Sequence, residues 1–192
     1  VALGGEVPAS VVAAALGELG LRSDDLAPAQ EAGLLASEGV ALHLAGPVVR
    51  AAALECYSPD ERRPWHAALA AALDPEDDAE RRAWHLVAAA AGQPSPEAVA
   101  ALERAAASAA ARGAVAASGQ ALEAAAQLCT GPARVALALR AGADLLAAGQ
   151  VERVAALAAD LEPQVRDPAT RADVRRLRGG AALRAGRLTE GY

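Results

Sequence analysis

Five amino acids are missing from this sequence of 192 residues, which has no Lys, Asn, Ile, Met or Phe. Without lysine there is no Gly-rich phosphate loop carrying Lys-Ser/Thr, so a nucleotide-hydrolysing site of that kind is excluded. The five share AT-rich codons, so their absence marks a GC-rich genome, and no functional weight attaches to every cation being Arg. The lack of Met carries another expectation. A chain opening Val1-Ala2-Leu3 and closing Thr189-Glu190-Gly191-Tyr192 reads as cut at both ends. No basic segment followed by an apolar one opens the chain, and no run of about 20 apolar residues lacks charge. A cytoplasmic location without a membrane span is therefore expected. Two cysteines, Cys56 and Cys129, are too few and too far apart for a disulfide framework, and each is expected to behave as a small buried hydrophobe.

What is present is mostly alanine, with Leu and Val supplying the rest of the apolar content. Alanine loses no side-chain entropy in a helix and has the highest intrinsic propensity, so an all-α fold is expected. Small side chains also let helices approach closely, which suits stacked helical hairpins. The net charge of −6 is spread along the chain, whereas a nucleic-acid surface needs clustered cations.

Residues 1–74 differ in texture from the remainder. Pro8-Ala9-Ser10-Val11-Val12 begins a short helix that ends near Gly17 or Gly20. Ser23 is positioned as an N-cap for a second helix, with Asp24 and Asp25 in its first turn, and Gly33 stops it. Leu34-Leu35-Ala36, the turn Ser37-Glu38-Gly39 and the alternating Val40-Ala41-Leu42-His43-Leu44 form the single candidate β-hairpin. Helix, helix and hairpin in this order predict a winged-helix-like module. A helix from Pro47 to about Tyr57 follows, then a capping box at Ser58-Pro59-Asp60-Glu61 opens a helix to Leu73 that contains Pro64. The acidic Asp74-Pro75-Glu76-Asp77-Asp78 reads as dipole-matched, solvent-facing residues before the next helix rather than as a cation site.

Residues 75–192 read as helices near 78–91, 96–112, 114–128, 132–147, 151–162 and 168–185, with a truncated one from 188. Ser95-Pro96, Thr130-Gly131-Pro132 and Asp167-Pro168 mark starts. Gly113, Gly149 and Gly186 mark joints 36 and 37 residues apart, the period of tetratricopeptide-like (TPR-like) hairpins in an α-solenoid. The TPR aromatic positions are mostly alanine here.

Candidate chemistry is sparse. There is no G-x-S-x-G nucleophile elbow. Cys56 with His43 or His66 has the residue types of a nucleophile and base, but ordinary helix residues explain them better. His43, His66, His85, Cys56 and Cys129 lack metal-site spacing, and His85 beside Trp84 reads as a satisfied imidazole next to a packed aromatic. The segment in the place of a DNA-reading helix, 23–33, has three acids, a proline and no cation, so it would be repelled by DNA. No catalytic, cofactor-binding or metal residue is assigned, and the chain is not expected to be an enzyme.

The stretch Gly46-Pro47-Val48-Val49-Arg50-Ala51-Ala52-Ala53-Leu54-Glu55-Cys56-Tyr57-Ser58-Pro59-Asp60-Glu61-Arg62-Arg63, continued by His66, Leu69, Ala70 and Leu73, resembles the large ATP-binding LuxR-type (MalT-like) transcription regulators abundant in actinobacteria. Glu80-Arg81-Arg82-Ala83-Trp84-His85-Leu86 and Val99-Ala100-Ala101-Leu102-Glu103-Arg104-Ala105-Ala106 extend the resemblance, which covers roughly residues 3 to 150. It implies a place between an ATPase module and a DNA-binding helix-turn-helix, neither of them in this chain, with ATP bound only by the former. The family commonly has His where Gly46 stands, and Pro64 is a second departure.

The implied role is a non-catalytic segment for regulation and protein–protein interaction in signal transduction. Its winged helix would hold neighbouring domains, and its repeats would take a protein partner or small-molecule inducer on their concave face. Arg140, Arg175 and Arg176 could line that face, although solvated helix surfaces explain them better. The alternative is a structural scaffold or oligomerisation module of another multidomain ATPase, with apolar surface from Leu183 to Tyr192 driving homodimerisation.

Overall fold

The computed structural model describes residues 7–186, which form two compact units divided after Gln93. In the first, β1 (Val7–Pro8) leads into α1 (Ala9–Glu18). A 3-10 turn at Ser23–Leu26 runs into α2 (Ala27–Glu31). The strands β2 (Leu35–Glu38) and β3 (Ala41–Leu44) precede α3 (Pro47–Glu55), α4 (Pro59–Ala72) and α5 (Ala79–Ala90). The mostly helical expectation holds, and the expected hairpin is present. It sits in a three-stranded antiparallel sheet of order β1-β3-β2, because Val7 and Pro8 pair with Leu42 and Ala41. A two-residue edge strand has too little pattern to be legible in sequence.

Three local expectations are corrected. The hairpin turn is Gly39-Val40 rather than Ser37-Glu38-Gly39, since Glu38 pairs with Ala41 and Gly39 takes φ +59, the position where two-residue turns favour glycine. Ser23 is not an N-cap. The Asp25 carboxylate instead accepts the Arg22 N–H at 2.7 Å and closes a 3-10 turn. The cysteines are not buried: Cys56 is exposed and Cys129 half-buried, each just past a helix end.

At the next helix start, Ser58 and Glu61 form the predicted capping box, with Ser58 N donating to Glu61 Oε2 at 2.8 Å and Glu61 N to Ser58 Oγ at 3.3 Å. Helix α4 continues through Pro64. The acidic break is a local turn in which Asp74 Oδ1 accepts the Glu76 and Asp77 N–H groups. Past the sequence boundary at 74, α5 is tied back to α4. Arg63 Nε donates to Ala89 O at 3.0 Å and Arg82 Nε to Ala70 O at 3.1 Å.

The second unit comprises α6 (Pro96–Ala111), α7 (Val115–Gln127), α8 (Gly131–Ala147), α9 (Val151–Leu161), a 3-10 turn (Glu162–Gln164) and α10 (Pro168–Arg184). Each boundary falls within two residues of its predicted place. Ser95 Oγ caps α6 through Ala98 N, and Asp167 Oδ2 caps α10 through Thr170 N at 2.8 Å. Gly113, Gly149 and Gly186 take φ +75, +76 and +75, one left-handed terminator repeated three times. The predicted helix from 188 lies outside the described residues.

Packing runs from one helix to the next, with α7 against α6 and α8, and α10 against α9 and α8. Leu145, Val154, Leu177 and Ala181 form a core cluster. Glycines let leucines close these interfaces. A Cβ on Gly142 of α8 would overlap Leu177 Cδ2 of α10, and one on Gly119 of α7 would lie 2.8 Å from Leu145 Cγ of α8.

Candidate functional site

The first unit carries an open groove of about 630 Å³ bounded by α1, α3 and α4. Each helix contributes one stripe. From α1 come Val12, Ala15, Leu16 and Leu19, from α3 Arg50, Ala53 and Leu54 with Tyr57 just beyond its end, and from α4 Arg62, Trp65, His66 and Leu69. All three follow the i, i+3, i+4, i+7 spacing that puts side chains on one helical face. Such faces ordinarily meet and fill a core, but here α3 has no buried residue among those described. Tyr57 and Trp65 meet edge to face at 4.7 Å between ring centroids and remain partly exposed.

Behind the groove, His66 and His85 face each other with their Nδ1 atoms 2.9 Å apart, one ring donating to the other. His85 is 4% exposed, and its pKa is lowered to about 4 by burial first, then by His66 and Arg81. Burial, with Arg62 adding to it, also lowers His66. Both rings are therefore neutral near pH 7, and one shared proton satisfies the pair. The expectation of a satisfied His85 holds, but its neighbour is not the packed partner. Trp84 is 41% exposed, and the imidazole faces the interior instead.

Gly46 takes φ +114 as the residue before α3, a conformation that favours glycine. Glycine at position 46 therefore has a backbone reason. His43, on β3, has a buried Nδ1 without a hydrogen-bond partner. Among the described residues no three His, Cys, Asp or Glu side chains converge as metal ligands.

In the second unit, ion pairs bridge different helices. Arg140 of α8 meets Glu103 of α6 at 2.6 Å, Arg134 of α8 meets Asp160 of α9 at 2.7 Å, and Arg153 of α9 pairs with Glu123 of α7. Ser118 Oγ donates to Asp144 Oδ2 at 2.6 Å between α7 and α8. A small groove of about 250 Å³ opens between the last two ion pairs. Arg175 reaches Glu162, and Arg176 pairs with Asp173 on its own helix. Each of these cations, like Arg140, faces a carboxylate, and Arg175 shares Glu162 with Arg178. The pairs between helices were missed in sequence because their members lie up to 37 positions apart, and nothing local marks them.

No helix among the described residues is long and apolar enough to cross a membrane. No family model matches the chain, and no curated protein or solved structure matches it either.

Proposed function

We propose that this chain is a non-catalytic regulatory segment of a LuxR-type transcription regulator: a winged-helix-like module followed by TPR-like repeats that take a protein partner or small-molecule inducer. The observation that supports it most is the threefold recurrence of one joint. Gly113, Gly149 and Gly186 share the same left-handed geometry at a spacing of 36 and 37 residues. Hairpins repeated at this period bury a continuous core by stacking, and such arrays serve as extended binding surfaces. In the first unit, the order α1, α2, hairpin is that of a winged helix. Its second helix is short, carries no cation and does not suit DNA.

In this reading the segment acts in the cytoplasm on neighbouring domains of a longer protein, and ATP belongs to a module outside it. A thermal-shift titration of the 192-residue chain tests it, because a ligand specific to the native state raises the melting temperature. ATP and ADP are to leave the transition unmoved, and a metabolite, maltodextrin or peptide from a small panel is to raise it. A clear shift with ATP would overturn the reading. A second reading, an oligomerisation scaffold, draws on Leu183, 54% exposed at the end of α10. The apolar surface expected beyond it, at 187–192, lies outside the described residues. Concentration-dependent dimerisation abolished by Leu183→Glu would favour that reading.

A further inference from the structure

The groove of the first unit presents an unfinished core. Interiors are normally packed to crystal-like density, and open apolar volume forfeits dispersion contacts and transfer energy. Here three helical stripes converge and leave about 630 Å³ unfilled, within the roughly 300–1,000 Å³ of small-molecule sites. The walls are aliphatic and aromatic, so ordered water would find few partners there.

The charged groups at the groove are few and of one sign. Arg50 and Arg62 line it with His66, and no carboxylate does. Neither arginine is ion-paired with a carboxylate among the described residues, and the contact shown for Arg62 runs from its Nε to Ser58 O at 3.4 Å. This contrasts with a chain of net charge −6 and with the carboxylate partners of Arg140, Arg134 and Arg153. Both cations also sit near the starts of their helices, where the dipole disfavours positive charge.

We infer that the groove between α1, α3 and α4 is a binding site for an amphipathic organic anion, a carboxylate with an aliphatic or arylalkyl body. The body fills the three stripes against Leu16, Leu54 and Leu69. Trp65 and Tyr57 close over it, and the carboxylate is held by the forked guanidinium donors of Arg50 and Arg62. This input site lies in the first unit and does not depend on what the repeats bind.

The test titrates the full 192-residue chain with decanoate, 1-decanol and decylammonium below their aggregation concentrations, following Trp emission. Trp65→Phe identifies the responding ring. Decanoate is to bind saturably and about tenfold more tightly than 1-decanol, the effect of one charge-assisted pair, with decylammonium weakest. In the Arg50→Gln/Arg62→Gln variant, decanoate is to fall to the affinity of 1-decanol. An unchanged affinity for 1-decanol there reports an intact groove. Equal binding of decanoate and 1-decanol by the unaltered chain, a preference that survives the double substitution, or no saturable decanoate binding would each overturn the assignment.

Discussion

The two units are made from the same few residue types and solve the packing problem differently. Among the described residues, six apolar side chains are buried in the first unit and 23 in the second. Of the six, only Val7 and Leu73 are larger than alanine, whereas the second unit buries Leu102, Leu145, Leu161, Val154 and Val174 almost completely. Large apolar side chains left exposed show the reverse pattern. Leu21, Leu34, Val40, Val48, Tyr57, Trp65 and Trp84 belong to the first unit, and Leu183 to the second. Composition therefore does not decide how full a core becomes. In the second unit, glycines inside helices admit leucines from the neighbouring helix. In the first, Gly17 inside α1 meets nothing, and α3 buries no residue among those described although α1 and α4 pack against each other.

The largest effect that separates the units comes from deleting core volume. Leu145→Ala is expected to destabilise the second unit by about 3 kcal/mol, through lost transfer energy and the cavity left among Val154, Leu177 and Ala181. Leu54→Ala in the groove wall is expected to cost under about 1 kcal/mol, since the side chain is already half-exposed. Denaturant unfolding of both variants measures the contrast, and equal losses would erase it.

Next in size is a pH effect confined to the first unit. The His85 pKa is near 4 when folded, below the 6.5 of a free histidine, so the unfolded chain binds more protons between those values. Stability is fully present above about pH 6.5 and is lost as pH falls toward 4, by on the order of 2 kcal/mol. Replacing both rings, His66→Leu/His85→Leu, removes the donor and acceptor together and is expected to flatten the curve in that window. A wild-type slope in the double variant would contradict the shared-proton geometry.

Smallest, and opposite in sign between the units, are two glycine substitutions. Gly142→Ala is expected to destabilise by about 1–2 kcal/mol, because Leu177 occupies the Cβ position and overpacking outweighs the gain in helix propensity. Gly17→Ala has open space around it and is expected to stabilise by about 0.5–1 kcal/mol. The same sign at both sites would mean that the leucine fit in the second unit is not close.

Sequence pattern carried most of the helices because their punctuation is local. Ser58, Ser95 and Asp167 cap by bonding three residues ahead, and Gly113, Gly149 and Gly186 end helices by conformation alone. The third strand was illegible because two residues cannot show an alternation. The groove was hidden for a different reason. Its stripes at 12–19, 50–57 and 62–69 have the periodicity of a filled core, and only tertiary placement reveals that they do not close. Likewise His66 and His85, 19 positions apart, are ordinary helix residues until α5 folds back on α4.

Native-state hydrogen exchange on the 192-residue chain tests most directly whether the first unit is incompletely filled. The amides of α3, which buries no residue among those described, are expected to exchange well before those of α7 and α8, and saturating decanoate is expected to slow α3 selectively. Protection of α3 equal to that of α8 without ligand, or an α3 rate indifferent to decanoate, would contradict the account.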